Sequence, residues 1–190
     1  MNLVRSPGSG KTSLLEKTIA DLKNEIEFSV IEGDQQTTND AERIHALNVP
    51  VLQINTGKGC HLDSEMIAKS LKELKPKQNS ILMIENVGNL VCPSMFDLGE
   101  NQRVVIISTT EGEDKPLKYP DMFFTSNICI INKIDLLPYL KFDIEKLKEN
   151  AKKVNPNIQF FEVSATSGEG MEAWYEFLRA KIWWKSEDGS

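Results

Sequence analysis

The sequence predicts a single α/β domain, with a mostly parallel β-sheet and helices on both of its faces. One observation behind this prediction is that short apolar runs alternate with longer helical patterns, the order of strands and crossover helices in a parallel sheet. The other is that runs such as ILMIE and RVVIIS are apolar almost throughout, as strands buried on both faces are. A chain of 190 residues fits one core, so we assign residues 1–182 to one domain and expect a disordered tail over residues 183–190.

Short runs rich in β-branched residues are predicted to be the strands of this sheet. Most are close to the usual strand length of about five residues. The run Asn2–Val4 is shorter, so either this first strand is unusually short or the natural chain begins further upstream. The predicted strands are Asn2–Val4, Phe28–Ile31, Val51–Ile54, Ile81–Ile84, Val104–Ser108, Ile128–Ile131 and Gln159–Val163.

Helices are predicted where apolar residues recur at the spacing of an amphipathic helix. Asn39, followed three residues later by Glu42, predicts an N-cap for the second of these helices. The polar stretch over residues 109–121 is the longest without periodicity and is interpreted as a loop. The predicted helices are Thr12–Lys23, Asp40–Leu47, Leu62–Leu74, Asp143–Lys153 and Met171–Ile182.

Composition and charge narrow the classes of function. The formal net charge of −6 argues against a nucleic-acid backbone as the main partner. The sequence starts without the apolar segment of a signal peptide, and no apolar run approaches the roughly 20 residues of a membrane span. Three cysteines at irregular spacing do not make a disulfide framework, which favours the reducing cytoplasm. Cys129, inside an apolar strand, is predicted to be a core residue, and His45 a solvated one.

The stretch RSPGSGKTS between the first strand and first helix predicts a phosphate-binding loop, since it ends in the GKT of the G-x-x-x-x-G-K-[ST] motif. Lys11 would reach the β- and γ-phosphates of a nucleotide, and Thr12 would bind Mg²⁺. Arg5 occupies the place of the motif's first glycine, where it could crowd the β-phosphate or add a favourable charge. The alternative is a glycine-rich turn before a helix. The predicted nucleotide-binding residues are Gly8, Ser9, Gly10, Lys11, Thr12 and Ser13.

Two carboxylates at predicted strand ends are candidate Mg²⁺ ligands. The same two carboxylates and Lys11 are the candidate catalytic groups. Asp34 follows the run FSVIEG, and Glu85 ends the run ILMIE. Gly88, three residues beyond Glu85, resembles the glycine of the GTPase D-x-x-G element, whose N–H can contact the γ-phosphate. The alternatives are a turn residue for Asp34 and a strand-end charge for Glu85.

The stretch NKID after the sixth predicted strand matches the guanine-reading N-K-x-D element. Asp135 can accept hydrogen bonds from the guanine N1–H and amino group, which adenine cannot donate, and this gives discrimination. Lys133 would lie over the base and Asn132 would brace the loop. The SAT stretch after the last predicted strand, with Ser164 and Ala165, resembles the loop whose N–H meets the guanine O6.

The stretch TGKGCHLD places Cys60 beside His61, and Cys92 follows the next strand at a comparable distance. Loops after neighbouring parallel strands rise from one edge of the sheet, so these three side chains are predicted to converge as ligands of a metal ion. Thiolate and imidazole suit Zn²⁺, Ni²⁺ or Cu⁺, and ligand type alone does not choose among them. A two-fold dimer could complete the site with the partner's residues, and Asp63 is another possible donor. The alternative is solvated loop residues.

The motifs GSGKT, EGDQQT, TGKGCHLD, ENVGNLVCP, EGEDKPLKYP and NKIDLLP, in this order, resemble the HypB family of nickel-incorporation GTPases. The resemblance spans residues 3–178. It implies a P-loop NTPase of the SIMIBI-like GTPase class that dimerises and inserts nickel into NiFe-hydrogenase. It also implies Ni²⁺ or Zn²⁺ at Cys60, His61 and Cys92 near the dimer contact, a HypA-type nickel-binding partner, the hydrogenase large subunit as recipient, and in some bacteria a role in urease maturation.

Two departures from the family stand out: Arg5 replaces a Gly or Ser, and the family's N-terminal segment, sometimes Cys- or His-rich, is not part of this sequence. We expect slow hydrolysis in isolation, because no arginine finger is identified in cis. Lys115 and Lys118 are candidate contacts to nucleotide or partner. The rival hypotheses are a GTP-controlled binding module without a metal role, a GTP switch serving urease, and a metal-storage or chaperone protein with a degenerate nucleotide site.

Overall fold

The predicted parallel sheet is confirmed in a computed structural model that describes residues 1–34, 43, 44, 46–57, 59 and 61–187. The strands are β1 Asn2–Arg5, β2 Phe28–Asp34, β3 Val51–Asn55, β4 Ile81–Glu85, β5 Arg103–Ser108, β6 Ile128–Asn132 and β7 Gln159–Glu162. They form one sheet in the order β3-β2-β4-β1-β5-β6-β7, and every recorded pairing is parallel.

Several strands extend past the apolar runs that predict them. Asp34 is the last residue of β2, not a residue after it, because it continues the ladder opposite Asn55. Arg5 likewise extends β1 opposite Ile106. Backbone pairing with a neighbouring strand does not depend on side-chain polarity, so hydrophobic pattern alone placed these ends too early.

The helices among the described residues include several that the sequence predicts. Asp63 caps α2 by accepting from the Met66 N–H at 2.8 Å, which explains why this helix begins at Ser64 and not at Leu62. The predicted helix Asp40–Leu47 and its cap lie largely outside the described residues. The helices are α1 Lys11–Leu22, α2 Ser64–Leu74, α3 Lys115–Lys118, α4 Pro120–Phe124, α5 Ile144–Val154 and α6 Met171–Glu187, with 3₁₀ turns at Cys92–Met95 and Ile134–Tyr139.

The segment interpreted as a loop over residues 109–121 in fact contains α3 and the start of α4. Pro116 is the second residue of α3 and Pro120 is the first of α4, and the fixed φ of proline suits a first helical turn. Both helices are too short to show a periodic pattern, which is why periodicity missed them. The helix α6 continues to Glu187, so residues 183–187 are helical where the sequence predicts a disordered tail. Residues 188–190 lie outside the described residues, and a disordered tail there stays a prediction.

Alternate residues of the central strands enter cores on opposite faces of the sheet. Leu3 and Ile106 pack with α1 and α6 on one face, whereas Val4 and Ile107 pack with α4 and α5 on the other. Cys129 is fully buried in the second core, as predicted, and burial raises the pKa of its thiol. Helices therefore cover both faces of the sheet.

The position of β1 between β4 and β5 decides where a ligand can bind. The chain passes from β1 to β2 on one side of the sheet and later reaches β5 on the other, so the strand order reverses beside β1. In open parallel sheets the crevice at such a point, at the carboxyl ends of the strands, is the usual ligand site. Within the described part of the chain, no helix is long and apolar enough to cross a membrane.

Candidate functional site

The loop between β1 and α1 has the backbone shape of a phosphate-binding loop. Gly8 and Gly10 have φ values of 78° and 85°, a region that favours glycine. The Asn132 amide Nδ2 donates to the Ser9 carbonyl at 2.9 Å, and Lys133 Nζ donates to the Gly8 carbonyl at 2.8 Å. A Cβ on Gly10 would lie 2.6 Å from that Asn132 nitrogen. The NKID segment thus contacts the phosphate loop directly. Ser13, also predicted to bind nucleotide, lies in the first turn of α1.

Lys11 and Thr12 meet Glu85 at the carboxyl end of β4. Lys11 is 3% exposed; its ammonium lies 2.9 Å from Glu85 Oε1 and also donates to the Asn86 carbonyl. The Thr12 hydroxyl donates to the same Glu85 oxygen at 2.9 Å. Burial lowers the pKa of Lys11, the Glu85 carboxylate opposes that shift, and the charge of Arg5 adds to the lowering. The Lys11 ammonium and the Thr12 hydroxyl therefore both contact one carboxylate oxygen of Glu85.

The residues around Glu85 fit a Mg²⁺ ion. Glu85 Oε2 is buried without a hydrogen-bond partner, and the Thr12 hydroxyl lies beside the other carboxylate oxygen. Mg²⁺ prefers such oxygen ligands. Glu32, which the sequence analysis missed, is a second buried carboxylate, on β2 directly opposite Glu85. Its signal was a charge inside the apolar run FSVIEG. The backbone of Asp34 ends the same strand.

Replacing Thr12 with valine tests this magnesium site. The substitution keeps the side chain's shape and removes the hydroxyl. We expect affinity for GTP in the presence of Mg²⁺ to fall about tenfold, the loss of roughly one hydrogen bond or ligand to a charged group. Affinity measured in EDTA serves as the control and should change little. An equal loss with and without Mg²⁺ would contradict the assignment of Thr12 as a metal ligand.

The predicted base-reading residues cluster behind the phosphate loop. Asn132 Oδ1 accepts from the Ala165 N–H at 3.1 Å and the Lys133 N–H at 2.8 Å, which ties the NKID and SAT loops together. The Thr109 hydroxyl, missed from sequence, donates to the Lys133 carbonyl at 2.8 Å. Asp135 Oδ1 is buried with no hydrogen-bond partner. Leaving such an acceptor unpaired costs about 1–3 kcal/mol, which the N1–H and amino group of guanine would offset.

Ser164 is fully buried, and its hydroxyl accepts from the Ser167 N–H at 3.0 Å. This bond shapes the loop after β7. The two predicted contact lysines are paired within their own segment: Lys115 lies 3.3 Å from Glu111, and Lys118 lies 2.7 Å from Asp114. Both lysines are thus paired with carboxylates of their own segment, and their contact to nucleotide or partner stays a prediction.

The loops predicted to carry the nickel or zinc ligands come together. The His61 ring stacks on Phe96, with ring centroids 3.7 Å apart and planes 8° from parallel. The Leu62 N–H donates to Asn86 Oδ1 at 3.4 Å, so the loop after β3 is joined to the one after β4. Cys60 lies outside the described residues. The loops after β3 and β4 therefore lie side by side, and the convergence of Cys60, His61 and Cys92 on one metal stays a prediction.

Cys92 begins a 3₁₀ turn on this shared edge. Its backbone N–H donates to Asn89 Oδ1 at 2.8 Å, which fixes the turn, and its side chain is half-buried. Asp63, the other possible donor, is engaged as the cap of α2. Within residues 1–34, 43, 44, 46–57, 59 and 61–187, no group of three His, Cys, Asp or Glu side chains has the geometry of a metal site.

A parallel sheet with a glycine-rich loop, a lysine, a threonine and a carboxylate at its switch point defines a P-loop nucleotide-binding protein. Comparison with known proteins specifies which one: the chain belongs to the CobW/HypB/UreG nucleotide-binding domain family, whose model matches residues 1–162, and within it to the HypB group. This confirms the resemblance found in the sequence.

Named relatives support the assignment. The hydrogenase maturation factor HypB of Escherichia coli K12 is 58% identical over 181 residues, covering 95% of this chain and 62% of that protein. A crystal structure of HypB from Helicobacter pylori in complex with nickel has 41% identity and a TM-score of 0.87, covering 95% of this chain and 85% of that one. The chain thus spans about three fifths of the length of the Escherichia coli relative.

A more distant likeness shows the fold alone. The signal recognition particle 54 kDa protein from Aeropyrum pernix K1, in complex with GDP, has a TM-score of 0.62 at 15% identity, covering 99% of this chain and 50% of that one. It agrees with the predicted SIMIBI-like class.

Proposed function

We propose that this protein is a metal-binding GTPase that helps insert nickel into NiFe-hydrogenase. GTP would bind through the phosphate loop and Asp135, with Mg²⁺ at Thr12 and Glu85. In hydrolysis, the oxygen of a water forms a bond to the γ-phosphorus while the bond to the β–γ bridging oxygen breaks, releasing GDP and phosphate. Lys11 neutralises charge on the phosphates, and Asp34 and Glu85 are the carboxylates that would hold the metal and orient the water.

The observation that carries this proposal is the stacking of His61 on Phe96. It holds the His61 loop against Phe96, which follows the 3₁₀ turn that begins at Cys92. The metal ligands proposed here are Cys60, His61 and Cys92, whose imidazole and thiolates suit Ni²⁺ and Zn²⁺. The names of the relatives, and the nickel in the Helicobacter pylori structure, support nickel as the cargo.

Nucleotide state and metal affinity are proposed to be coupled through one short segment. Gly88 would contact the γ-phosphate, and Cys92 lies four residues later. Loss of the γ-phosphate would relax this segment and move the thiolate. Such two-state couplings are typically worth about 1–3 kcal/mol, and they are reciprocal, so metal would change nucleotide affinity by the same factor.

The partners proposed are a second copy of the chain, a HypA-type nickel-binding protein and the hydrogenase large subunit, in the cytoplasm. Val91 and Met95 flank Cys92 and are 55% and 67% exposed. Apolar side chains at such exposure suit a protein contact, and a two-fold axis there would bring a second set of ligands to the metal.

Metal loading tests the proposal. The purified protein is equilibrated with Ni²⁺ or Zn²⁺, with and without GTP–Mg²⁺, and its bound metal, its mass in solution and the phosphate released are measured. We expect bound metal, a shift toward dimer and slow phosphate release. Cys92→Ala and His61→Ala should lose most of the metal. Cys129→Ala, a cysteine buried in the core, is the matched control and should keep it.

Two results would contradict the proposal separately. Unchanged metal content in Cys92→Ala and His61→Ala would remove the metal role and leave a guanine-nucleotide switch. Absence of nucleotide binding, with metal binding intact, would leave a metal-carrying protein.

A further inference from the structure

Arg5 places a cation where the phosphate loop begins. It is the last residue of β1, and its guanidinium packs against Gly88 at the far end of the site. A Cβ built on Gly88 would lie 3.0 Å from both Cζ and Nη2 of Arg5 and 3.3 Å from Nε. The planar guanidinium therefore covers the backbone of the segment that follows Glu85.

The charges around Arg5 are unbalanced. Its Nε is buried without a hydrogen-bond partner, and no ion pair of Arg5 with a carboxylate is found among the described residues. Its charge acts on Lys11 and contributes to lowering that residue's pKa. Lys11 is already paired with Glu85, so within the described residues the cation without a carboxylate partner is Arg5, and its buried donor is unfavourable unless an anion binds it. A phosphate oxygen can accept from a guanidinium and would neutralise this charge.

The site has two ends, and they show which phosphate Arg5 can reach. Asn132 and Lys133 contact the carbonyls of the phosphate loop at the end predicted to hold the base. Thr12 and Glu85 lie at the other end, where they would hold Mg²⁺. Because the guanidinium lies against the segment just beyond Glu85, a nucleotide that runs from the base end toward Glu85 would bring its terminal phosphate toward Arg5.

We infer that Arg5 binds the γ-phosphate of GTP and makes the site prefer a triphosphate over a diphosphate. The inference rests on the proposed function, since it needs a guanine-nucleotide site. The sequence identified no arginine finger, and Arg5 would supply an arginine to the γ-phosphate in cis. GDP lacks the phosphate that Arg5 would bind, so Arg5 would raise the affinity for GTP and leave the affinity for GDP nearly unchanged.

The competing role for Arg5 is structural: its side chain would pack against Gly88 without contacting nucleotide. Loss of such packing would change the affinities for GDP and GTP alike, because both nucleotides need the same phosphate loop. A third possibility is that the side chain crowds the phosphates, in which case its removal would strengthen nucleotide binding.

The test compares dissociation constants for GDP and for a non-hydrolysable GTP analogue, both with Mg²⁺, in the full chain, Arg5→Ser and Arg5→Lys. We expect Arg5→Ser to weaken binding of the analogue about tenfold or more and binding of GDP less than about threefold, since only the triphosphate loses a charge-assisted contact. Arg5→Lys keeps the charge without the planar fork, so its loss should be intermediate.

Equal losses for both nucleotides, or tighter binding of the analogue in Arg5→Ser, would overturn the inference while leaving the proposed function intact. If the unsubstituted chain binds neither nucleotide, the proposed function fails and the inference fails with it. If Arg5→Ser does not fold, Arg5→Lys decides the matter, and an unchanged preference for the analogue over GDP would then refute the role of Arg5.

Discussion

Replacing Asp135 with asparagine is expected to weaken GTP binding about a hundredfold and to strengthen binding of xanthosine triphosphate. Asp135 Oδ1 is buried without a hydrogen-bond partner, so the carboxylate is available to accept from the N1–H and the amino group of guanine. An amide NH₂ in its place faces the guanine amino group, donor against donor, and the charged hydrogen bonds are lost; together this costs about 3 kcal/mol. Xanthine carries an acceptor at that position, which the amide satisfies. Titration with the three triphosphates of guanosine, xanthosine and adenosine measures the change.

The matched control for this prediction is Asp121→Asn, the same chemical change on an exposed residue at the start of α4. It should leave all three affinities unchanged. Were Asp135→Asn to lose GTP binding without gaining affinity for xanthosine triphosphate, the variant would have damaged the loop and not reversed the recognition. A GTP affinity equal to that of the unsubstituted chain would show that the base is read elsewhere.

Replacing Gly170 with alanine is expected to cost about 3–5 kcal/mol of unfolding free energy, a large share of the 5–15 kcal/mol typical of a domain. Gly170 has a φ of 72°, where a Cβ alone costs roughly 1–2 kcal/mol. In addition, that Cβ would overlap the Glu162 carbonyl oxygen and lie 3.0 Å from its carbon. Since these are backbone atoms of β7, they cannot move aside as a flexible side chain can. Urea unfolding, with the slope compared between variants, measures the loss.

Gly99→Ala separates the two contributions. Gly99 has a nearly equal φ of 77°, but a Cβ there meets nothing within 4 Å. We expect this variant to lose only about 1–2 kcal/mol, the cost of the dihedral angle itself. Equal losses in the two variants would mean that the loop before α6 shifts to accommodate the methyl group, and that its position against β7 is not fixed.

Local pattern was sufficient for the parts of this fold that repeat along the chain. The strand Ile128–Ile131 was predicted because its residues are apolar without interruption, as in a strand buried on both faces, and the structure extends it to Asn132. The short helices at Lys115–Lys118 and Pro120–Phe124 were missed because one turn of helix shows no period. Glu32 was missed because its place beside Glu85 depends on the pairing of β2 with β4, which the sequence does not show.

The candidate site divides in the same way. The phosphate loop and the NKID element are contiguous in sequence, so their chemistry could be predicted from residue type and spacing. The bonds that join them, from Asn132 to Ser9 and to Ala165, depend on three loops meeting and carry no local signal. The stacking of His61 on Phe96 likewise joins two loops that follow different strands.

The sequence by itself determined the class of fold, the order of the motifs and the family, because each depends on residues close together in the chain. Only the tertiary structure decided which side chains of the site contact one another. The order of strands in the sheet puts β1 beside β4, and this brings the guanidinium of Arg5 against Gly88 and Lys11 against Glu85. Arg5 was ambiguous in sequence because the effect of a charge depends on its neighbours in space, and those neighbours are set by strand pairing.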